Sequence, residues 1–417
     1  MDARHDDQLQ YVSAGEAARL LGVKTQTLYS YASRGMLRSK PEPGTTRSLY
    51  ERRDVERLAT KRKGREPAPP SSKGDHERPT EILPALTSAV TQIAPTGPRY
   101  RGHDFKELVR HPGQFENVAE LLWSGMLLEE PLTWEPDVVP QNLEATLKAL
   151  HGADAYVPLL RLLSAVCLVL GVSATDELRS GSTARLARRL VTTFARCASA
   201  LHKRGGPLYK PAAGESIARI VLRSMGHEAS TEAVAAINAV LIACADHELS
   251  PATYAVRIVA STGAGLHACL SGGLSAHSGH RLGGRVDRLE DLITGSASPK
   301  DLRAKLATGS KAFGSASFLP YDSSDPRGHF LMTIARDIAP KGRLQHLQEL
   351  ISRTEAEAAE HPTLEIGLIG VARALDLPRR APGMLWVLGR SAGWVAHTIE
   401  QRLTANVIRP RARFVSA

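Results

Sequence analysis

Helical hydrophobic periodicity runs almost without a break from residue 82 to the C-terminus, and it constrains the fold more than any other feature. Clear helical segments cover residues 118–128, 159–170, 184–201, 231–245 and 384–403. No strand-like alternation of any length interrupts them, and aromatic residues make up only 5% of the chain. The pattern predicts an all-α body. Its longest apolar stretch, residues 162–174, is too short to span a bilayer, so we expect no membrane segment.

A polar segment separates this body from a shorter patterned head, residues 10–62. Residues 63–80 are rich in Pro, Gly, Ser and charge and contain no large apolar residue, which predicts a linker. Positive charge is concentrated in the head: residues 1–64 hold 13 Lys/Arg against 8 Asp/Glu, whereas the rest of the chain holds 40 against 35. A basic head on a near-neutral body indicates an anionic partner for the head alone.

The cysteines and the N-terminus predict the compartment. The four cysteines lie far apart, and no CxxC pair or metal-finger spacing occurs. We therefore expect reduced, mostly buried thiols and no metal site. The first ten residues are charged and polar, without a secretory pattern, so the expected location is cytoplasmic.

The head has the sequence order of a helix-turn-helix domain. Ser13 and Glu16 form a predicted capping box that opens a first helix. A second helix ends before Gly35, a residue suited to a left-handed C-terminal position. A basic stretch then turns at residues 43–44, and a short amphipathic helix begins at Asp54. This order predicts a structure that reads a groove of duplex DNA.

The head resembles the winged helix-turn-helix domain of MerR-type regulators and excisionases. By that resemblance, base or sugar contacts are expected from Gln26, Thr27 and Tyr31. Phosphate contacts are expected from Arg34, Arg38, Lys40, Arg47 and Arg52. The alternative is a helix pair that serves only dimer contacts or domain docking.

Three blocks of the body resemble citrate synthases. The first is GPRYRGHDFKEL followed by FENVAELLWSGML, and the second is ADHELSPATY, which contains His247 and Glu248. The third is the tail GRSAGWVAHTIEQRLTANVIRPRARFV. The resemblance implies an all-α fold with a large domain (residues 81–282 and 361–417), a small domain (residues 283–360), a cleft between them and a two-fold homodimer.

The same resemblance implies a binding site for oxaloacetate or a citrate-like acid. Substrate binding is expected from His247, Arg327, Arg390 and Arg409, with Arg409 reaching in from the neighbouring subunit. Cationic side chains suit this role because they form charge-assisted hydrogen bonds with carboxylates. Coenzyme A or acetyl-CoA is implied as a substrate, with no permanently bound cofactor and no metal.

The catalytic residues of the family are largely replaced. Leu282 stands where GPxHGG has its enol-stabilising histidine; His280, two residues earlier, is a weak candidate substitute, and His277 lies five residues earlier. The ketone-polarising histidine corresponds to Phe318, counted back from Arg327, or to Ser315 with an insertion.

The catalytic aspartate of the family corresponds to Glu365, a candidate base that is one methylene longer. Losing one preorganised donor to a developing oxyanion costs about 10²–10³ in rate. Ordinary citrate synthesis is therefore not expected at physiological rates.

Three functional interpretations follow. The first is a DNA-binding regulator whose body binds a dicarboxylate or tricarboxylate but does not turn it over. The second is an active citrate synthase or 2-methylcitrate-type synthase with a rebuilt site that uses His277, His280 and Glu365. The third is a structural or regulatory subunit that pairs with an active family member. A thiol-release assay separates the second interpretation from the other two.

Overall fold

The computed structural model divides the chain into two compact units, Met1–Glu81 and Ile82–Ala417. The residues that it describes are 11–21, 23, 28, 37–41, 48–52, 54–55, 86–136, 138–150, 159–172, 182–201, 208–296, 301, 321, 325–358, 362–404 and 406–410. The predicted linker, residues 63–80, lies outside them.

The first unit contains a small antiparallel sheet and a capped helix. Its elements in chain order are β1 (Tyr11–Ser13), α1 (Ala14–Leu21), β2 (Ser39–Pro41) and β3 (Ser48–Glu51). The sheet order is β1-β3-β2, with Lys40 opposite Leu49 in the β2–β3 pair. Ser13 Oγ accepts a hydrogen bond from Glu16 N at 3.2 Å, so the predicted helix start is confirmed. Strands β2 and β3 pair antiparallel on either side of the predicted turn at residues 43–44, which itself lies outside the described residues.

A compact apolar cluster holds this unit together. Leu28 is fully buried. It packs in one cluster with Val12, Ala17, Ala18, Leu21, Leu37, Tyr50 and Val55. The first helix and the sheet therefore share one apolar core.

Helices make up most of the described part of the second unit, as the periodicity predicted. It opens with a three-stranded antiparallel sheet, β4 (Thr91–Ala94), β5 (Gly97–Tyr100) and β6 (His103–Asp104). Its helices are α2 (Phe105–Arg110), α3 (Phe115–Ser124), α4 (Gln141–Leu150), α5 (Leu159–Val172), α6 (Ser182–Cys197), α7 (Ile217–Ser224), α8 (Thr231–Cys244), α9 (Pro251–Ser261), α10 (Leu266–His277), α11 (Gly284–Thr294), α12 (Pro326–Ile338), α13 (Gln345–Ala358), α14 (Leu364–Ala374) and α15 (Ala381–Thr404). A 3₁₀ turn, Ala198–Leu201, extends α6.

The short strands β4–β6 were not predicted. Strands of two to four residues are too short to show a period-two pattern, so the sequence signal is weak there. The sheet is nevertheless anchored in the core, because Tyr100 at the end of β5 is fully buried and its Oη donates to the Ile242 carbonyl at 2.9 Å.

Local sequence explains where several body helices begin. The side chains of Asp104, Ser216, Ser230 and Ser250 accept hydrogen bonds from backbone N–H groups in the first turns of α2, α7, α8 and α9, respectively. Such caps satisfy donors that a helix start otherwise leaves unpaired. Pro251, directly after Ser250, occupies a first-turn position where its missing N–H costs nothing.

Helices α12 and α14 pack with their backbones in close approach. A side chain at Gly328 would collide with the carbonyl oxygens of Pro362 and Thr363, at the start of α14. Gly367 is similarly tight against Gly328. These glycines bring the first turn of α12, which contains Arg327, against the first turn of α14, which contains Glu365.

Most residues of the body's apolar core come from α3, α5, α6, α8, α14 and α15. Helix α15 is buried along nearly its whole length and packs against α8, α9 and α3. Among the described helices, none is long and apolar enough to cross a membrane.

Candidate functional site

His247 lies in the tight connection between α8 and α9. Glu248, the next residue, has a positive φ of 55°, which is uncommon outside glycine. The backbone N–H of Glu248 donates to Asp246 Oδ2 at 3.1 Å, and Ser250 then caps α9. This turn fixes the backbone on both sides of His247 and leaves its side chain buried.

A fully buried pair of side chains lies behind this turn. His397, on α15, has its Nε2 3.2 Å from Asp246 Oδ2. Burial alone would raise the pKa of Asp246, but His397 and Arg390 outweigh it, so the pKa lies below its ordinary value. The carboxylate is therefore charged at neutral pH and serves as an anchor for the turn.

Arg327 lies in the first turn of α12 and is almost completely buried. Asp325 caps this helix by accepting from the backbone N–H of Arg327 at 3.0 Å. The same carboxylate accepts from the guanidinium, with Nε–Oδ1 at 2.9 Å and Nη2–Oδ2 at 2.6 Å. Burial acts to lower the pKa of Arg327, but Asp325 outweighs it and the net direction is upward.

One nitrogen of Arg327 remains available. Its Nη1 is buried and has no hydrogen-bond partner among the described residues. A buried donor without a partner is costly, so such a group usually has a ligand, water or ion in its working state.

Arg390 enters the same region from the middle of α15. Its Nε donates to the Cys244 carbonyl at 3.0 Å, at the end of α8. Within the described part of the chain, this is the hydrogen bond that its guanidinium makes. Burial lowers the pKa of Arg390, and Asp246 partly offsets that effect. An arginine remains charged even so.

His247, Arg327 and Arg390 form one group, which we call the clamp cluster. Burial, followed by the two arginines, lowers the pKa of His247 well below its ordinary value, so the imidazole is neutral at pH 7. Arg327 is already paired with Asp325, and Asp246 acts on Arg390, so the two guanidinium charges are partly balanced. The unpartnered Nη1 of Arg327 suits a carboxylate ligand, because an arginine offers charge-assisted hydrogen bonds.

Tyr321 contributes a hydroxyl to the clamp cluster, and sequence reasoning did not single it out. Its Oη lies 3.0 Å from His247 Nε2, and the ring centroids are 5.4 Å apart. Burial raises the pKa of Tyr321, although Arg327 acts in the opposite direction. The one sequence feature that could have indicated it is its position, four residues before Asp325 in the segment YDSSDPR that contains Arg327.

The two candidate substitute histidines are placed differently. His277, the last residue of α10, is buried, and its ring packs edge-on against two tryptophans. The ring centroids are 4.8 Å apart for Trp386 and 5.9 Å apart for Trp394. Burial, aided by Arg390, lowers the pKa of His277 to about 3. His280 is exposed, and Leu282 packs partly against the core. His277 is therefore near the clamp cluster, whereas the side chain of His280 faces solvent.

Glu365 lies in the first turn of α14 and is mostly buried. Its Oε1 is 3.5 Å from Nε of Arg285, on α11. Because α14 packs tightly on α12, this carboxylate and the clamp cluster belong to one region of the body. Ser315 and Phe318, the residues that correspond to the ketone-polarising histidine, lie outside the described residues.

The remaining predicted contact residues that the structure describes are more exposed to solvent than the clamp cluster is. Arg409 is exposed in this single chain. Lys40 Nζ lies 3.9 Å from the centroid of the Tyr11 ring. Arg52 pairs with Glu16 at 3.1 Å.

Arg38, predicted to contact phosphate, already has protein partners. Its Nε lies 2.8 Å from Glu51 and 2.9 Å from Asp54, although 70% of its side chain is exposed. The other predicted DNA contacts, which lie outside the described residues, are Gln26, Thr27, Tyr31, Arg34 and Arg47.

The described residues contain no group of three or more His, Cys, Asp or Glu side chains arranged to hold a metal ion. All four cysteines are buried and none forms a disulfide. The buried guanidinium groups of Arg327 and Arg390 can support ionic and hydrogen-bonded recognition of a carboxylate ligand, with Glu365 as a nearby carboxylate.

Three similar proteins are named as citrate or 2-methylcitrate synthases, and each shares 25–28% of its aligned residues with this chain. The putative citrate synthase 2 of Mycobacterium tuberculosis is 28% identical over 364 residues, which cover 81% of this chain and 94% of that protein. Citrate synthase 2 of Bacillus subtilis is 26% identical over 358 residues, covering 81% of this chain and 95% of that protein. The 2-methylcitrate synthase of Shewanella oneidensis is 25% identical over 345 residues, covering 78% and 90%.

Solved structures share the fold. The citrate synthase of Thermoplasma acidophilum, in a ternary complex with carboxymethyl coenzyme A and oxaloacetate, matches with a TM-score of 0.68 at 19% identity. The match covers 80% of this chain and 94% of that one. The citrate synthase of Thermotoga maritima matches with a TM-score of 0.64 at 18% identity, covering 80% and 93%.

Family models match both units. The model for the citrate synthase C-terminal domain matches residues 80–411, and the model for the MerR HTH family regulatory protein matches residues 12–66. This chain therefore belongs to the citrate synthase family and carries a MerR-family helix-turn-helix domain at its N-terminus.

Proposed function

We propose that this protein is a DNA-binding regulator whose citrate-synthase-like body binds a dicarboxylate or tricarboxylate, such as oxaloacetate or citrate, without efficient turnover. The observation that carries the proposal is the clamp cluster. Arg327 Nη1 is buried without a partner among the described residues, and Arg390 and His247 lie close by. A carboxylate ligand would give that donor the acceptor that it lacks.

The low catalytic capacity follows from the residues at the reacting centre. Condensation needs a donor for the ketone, a base for the acyl methyl group and a donor for the enolate. Leu282, at the family's enol-stabilising position, has no polar group. His277 is edge-packed against two tryptophans, and burial lowers its pKa to about 3, so it would be a neutral and constrained donor.

A second candidate function is an active citrate synthase or 2-methylcitrate-type synthase that uses acetyl-CoA or a larger acyl-CoA. Glu365 favours it, because a mostly buried carboxylate lies where the family has its catalytic aspartate. The names of the relatives favour it as well. Coenzyme A would then be a substrate, and no permanently bound cofactor is required. A subunit that pairs with an active family member remains the third interpretation.

The head is proposed to bind duplex DNA in the cytoplasm as part of a two-fold homodimer. Two heads at a fixed spacing can read two half-sites, which a single small domain cannot do. Arg409 is exposed in one chain, which leaves it available to reach the partner's clamp cluster. Ligand binding would alter DNA affinity only if it favours one dimer arrangement over another.

Two assays on the purified full-length protein test the proposal. Calorimetric titration with oxaloacetate and with citrate measures binding, and thiol release from acetyl-CoA or propionyl-CoA with oxaloacetate measures turnover. Binding with thiol release at least 10³-fold below that of an active family member supports the regulator. Thiol release at ordinary synthase rates would support the second function instead. No heat with millimolar ligand and no thiol release would reject both.

A further inference from the structure

Tyr321 shares its surroundings with every member of the clamp cluster. Its Oη is 3.0 Å from His247 Nε2, and both Arg327 and Arg390 act electrostatically on its phenol. Because burial raises the pKa of Tyr321, the phenol keeps its proton at neutral pH. The group is therefore a neutral hydroxyl that contacts His247 and lies within electrostatic range of two guanidinium groups.

A second tyrosine in the same region cannot have this role. Tyr100 Oη lies 2.9 Å from the Ile242 carbonyl oxygen and 3.3 Å from the carbonyl oxygens of both Ala243 and Asp246. A phenol has a single proton, and three carbonyls already compete for that of Tyr100. Tyr100 is thus a structural donor within the core.

The partner of Tyr321 is different in kind, because it can also donate. In a neutral imidazole the proton is on Nδ1 or on Nε2, and the nitrogen that carries it donates while the other accepts. With the proton on Nε2, His247 donates to Tyr321 Oη, and the phenol proton can then turn towards a third group. With the proton on Nδ1, Tyr321 donates to His247 instead. The pair therefore has two hydrogen-bonded arrangements, one of which offers a donor to a ligand.

The ligands in question contain an oxygen that the arginines do not match. Arginine pairs best with carboxylates, whereas the keto or hydroxyl oxygen of the acid is uncharged and can be bound by a neutral donor such as a phenol. His280 is exposed, and His277 is enclosed by Trp386 and Trp394. Tyr321 is the hydroxyl that lies in direct contact with His247.

We infer that Tyr321 is a specificity-determining residue whose hydroxyl donates a hydrogen bond to the keto or hydroxyl oxygen of the bound acid. This inference rests on the proposed ligand-binding function. In the unliganded protein Tyr321 would donate a hydrogen bond to His247 Nε2, with the imidazole proton on Nδ1. When the ligand is bound, the imidazole proton would be on Nε2 and His247 would donate to Tyr321 Oη. The site would then distinguish hydroxy and keto acids from acids of the same charge that lack this oxygen.

Matched pairs of ligands isolate that single hydrogen bond. Malate and succinate differ by one hydroxyl, as do citrate and tricarballylate, and each pair has equal charge. We expect the full-length protein to bind the hydroxylated member of each pair about tenfold more tightly by calorimetry. In Tyr321→Phe the preference should fall to within about twofold, while affinity for succinate and tricarballylate stays within about threefold.

A second tyrosine provides the control. Tyr254, on α9, has a buried Oη without a hydrogen-bond partner among the described residues, so Tyr254→Phe removes the same atom elsewhere. This variant should retain the tenfold preference. Thermal melts of both variants establish that they are folded.

Three results would overturn the inference. These are a wild type that does not prefer the hydroxylated acids, a Tyr321→Phe variant that keeps the preference, and a Tyr321→Phe variant whose affinity for all four acids falls equally. The last result would indicate that Tyr321 only supports the shape of the site. If the wild type binds none of the four acids, the proposed ligand-binding function fails as well, and the two failures are thereby told apart.

Discussion

Asp246 and His397 form a hydrogen-bonded pair that is completely shielded from solvent, with Asp246 Oδ2 3.2 Å from His397 Nε2. The same oxygen accepts from the backbone N–H of Glu248, whose φ is positive. The pair therefore connects the long helix α15 to the turn that presents His247. An arrangement of this kind makes the position of a binding residue depend on two side chains that lie behind it.

Removing one member of this pair should destabilise the protein and weaken ligand binding together. His397→Phe leaves Asp246 charged and buried without its partner, which costs about 3–5 kcal/mol of unfolding free energy. Denaturant unfolding measures the loss, and calorimetry with citrate measures the second effect. In the double variant with Asp246→Asn the buried charge is absent, so part of the stability should return. Equal stabilities of wild type and His397→Phe would contradict this account.

Arg390 should contribute more to ligand binding than to stability. Its guanidinium is buried and makes its described hydrogen bond through Nε, so Arg390→Gln removes one of the two positive charges of the clamp cluster. We expect citrate affinity to fall by about 1.5–3 kcal/mol, the range for a hydrogen bond to a charged group.

The matched control is Arg336→Gln, on α12, where the arginine is exposed. It should leave citrate affinity within about twofold of wild type. If both variants bind citrate equally well, Arg390 does not contact the ligand.

The sequence predicted the body's fold because helical periodicity and family motifs agree over more than 300 residues. The first helix of the head was predicted for a local reason: Ser13 and Glu16 are three residues apart, and the cap is formed as expected. The strands β4–β6 were missed because their few residues show no period and are held by tertiary contacts such as that of Tyr100.

The candidate site was predictable only in part. His247, Arg327 and Arg390 were singled out from motif contexts, and the structure places them close together; their binding role stays a prediction. Tyr321 could not be found this way, since its importance comes from a contact with a residue 74 positions away. The pairing of Arg38 with Glu51 and Asp54 was equally invisible, because it depends on how β3 is placed beside Arg38.

Glu116 should make stability depend on pH. It is fully buried on α3, and its Oε1 accepts from the backbone N–H of Ile217 at 2.7 Å. Burial raises the pKa of Glu116 to about 7 from the 4.5 of an unperturbed carboxyl. Between these values the folded state binds a proton that the unfolded state has lost. The contribution of this group to stability therefore falls as pH rises from about 4.5 to 7, by up to about 3 kcal/mol.

Denaturant unfolding at pH 5 and pH 8 measures this effect. Glu116→Gln cannot ionise, so its loss of stability between the two pH values should be about 3 kcal/mol smaller than that of the wild type. Glu135→Gln, at an exposed position, should behave as the wild type does. A pH dependence that is unchanged in Glu116→Gln would show that the carboxyl titrates normally.

Arg38 should stabilise the head rather than contribute strongly to phosphate contacts. Its side chain bridges Glu51, at the end of β3, and Asp54, and its backbone N–H also donates to Asp54 at 3.1 Å. Arg38→Ala should therefore lower the melting temperature of the head while changing the salt dependence of DNA binding little. Protease protection of the head on heating reports the first effect. If Arg38→Ala melts at the same temperature as the wild type, Arg38 does not stabilise the head, and the prediction that it contacts phosphate stands.

DNA binding by the head should weaken steeply with salt, because each phosphate contact releases condensed counterions. Arg34→Ala and Arg47→Ala should each reduce affinity for all sequences alike and lower the slope of log K against log salt by about one. Gln26→Ala and Tyr31→Phe should instead reduce the preference for the selected sequence over random duplexes. The physical reason is that phosphate contacts position the protein, whereas base contacts distinguish sequences.

The experiment begins with selection from random duplexes by the full-length protein, followed by gel shifts at two salt concentrations. A protein that starts at Ile82 is the matched control, because the body begins there as a separate compact unit. The selected site should contain two half-sites with two-fold symmetry, since a homodimer presents two heads. Addition of citrate should change the affinity for this site if the body and head are coupled. If no sequence is enriched and binding at low salt is no tighter than for the control, the head is a docking domain and the regulator hypothesis is wrong.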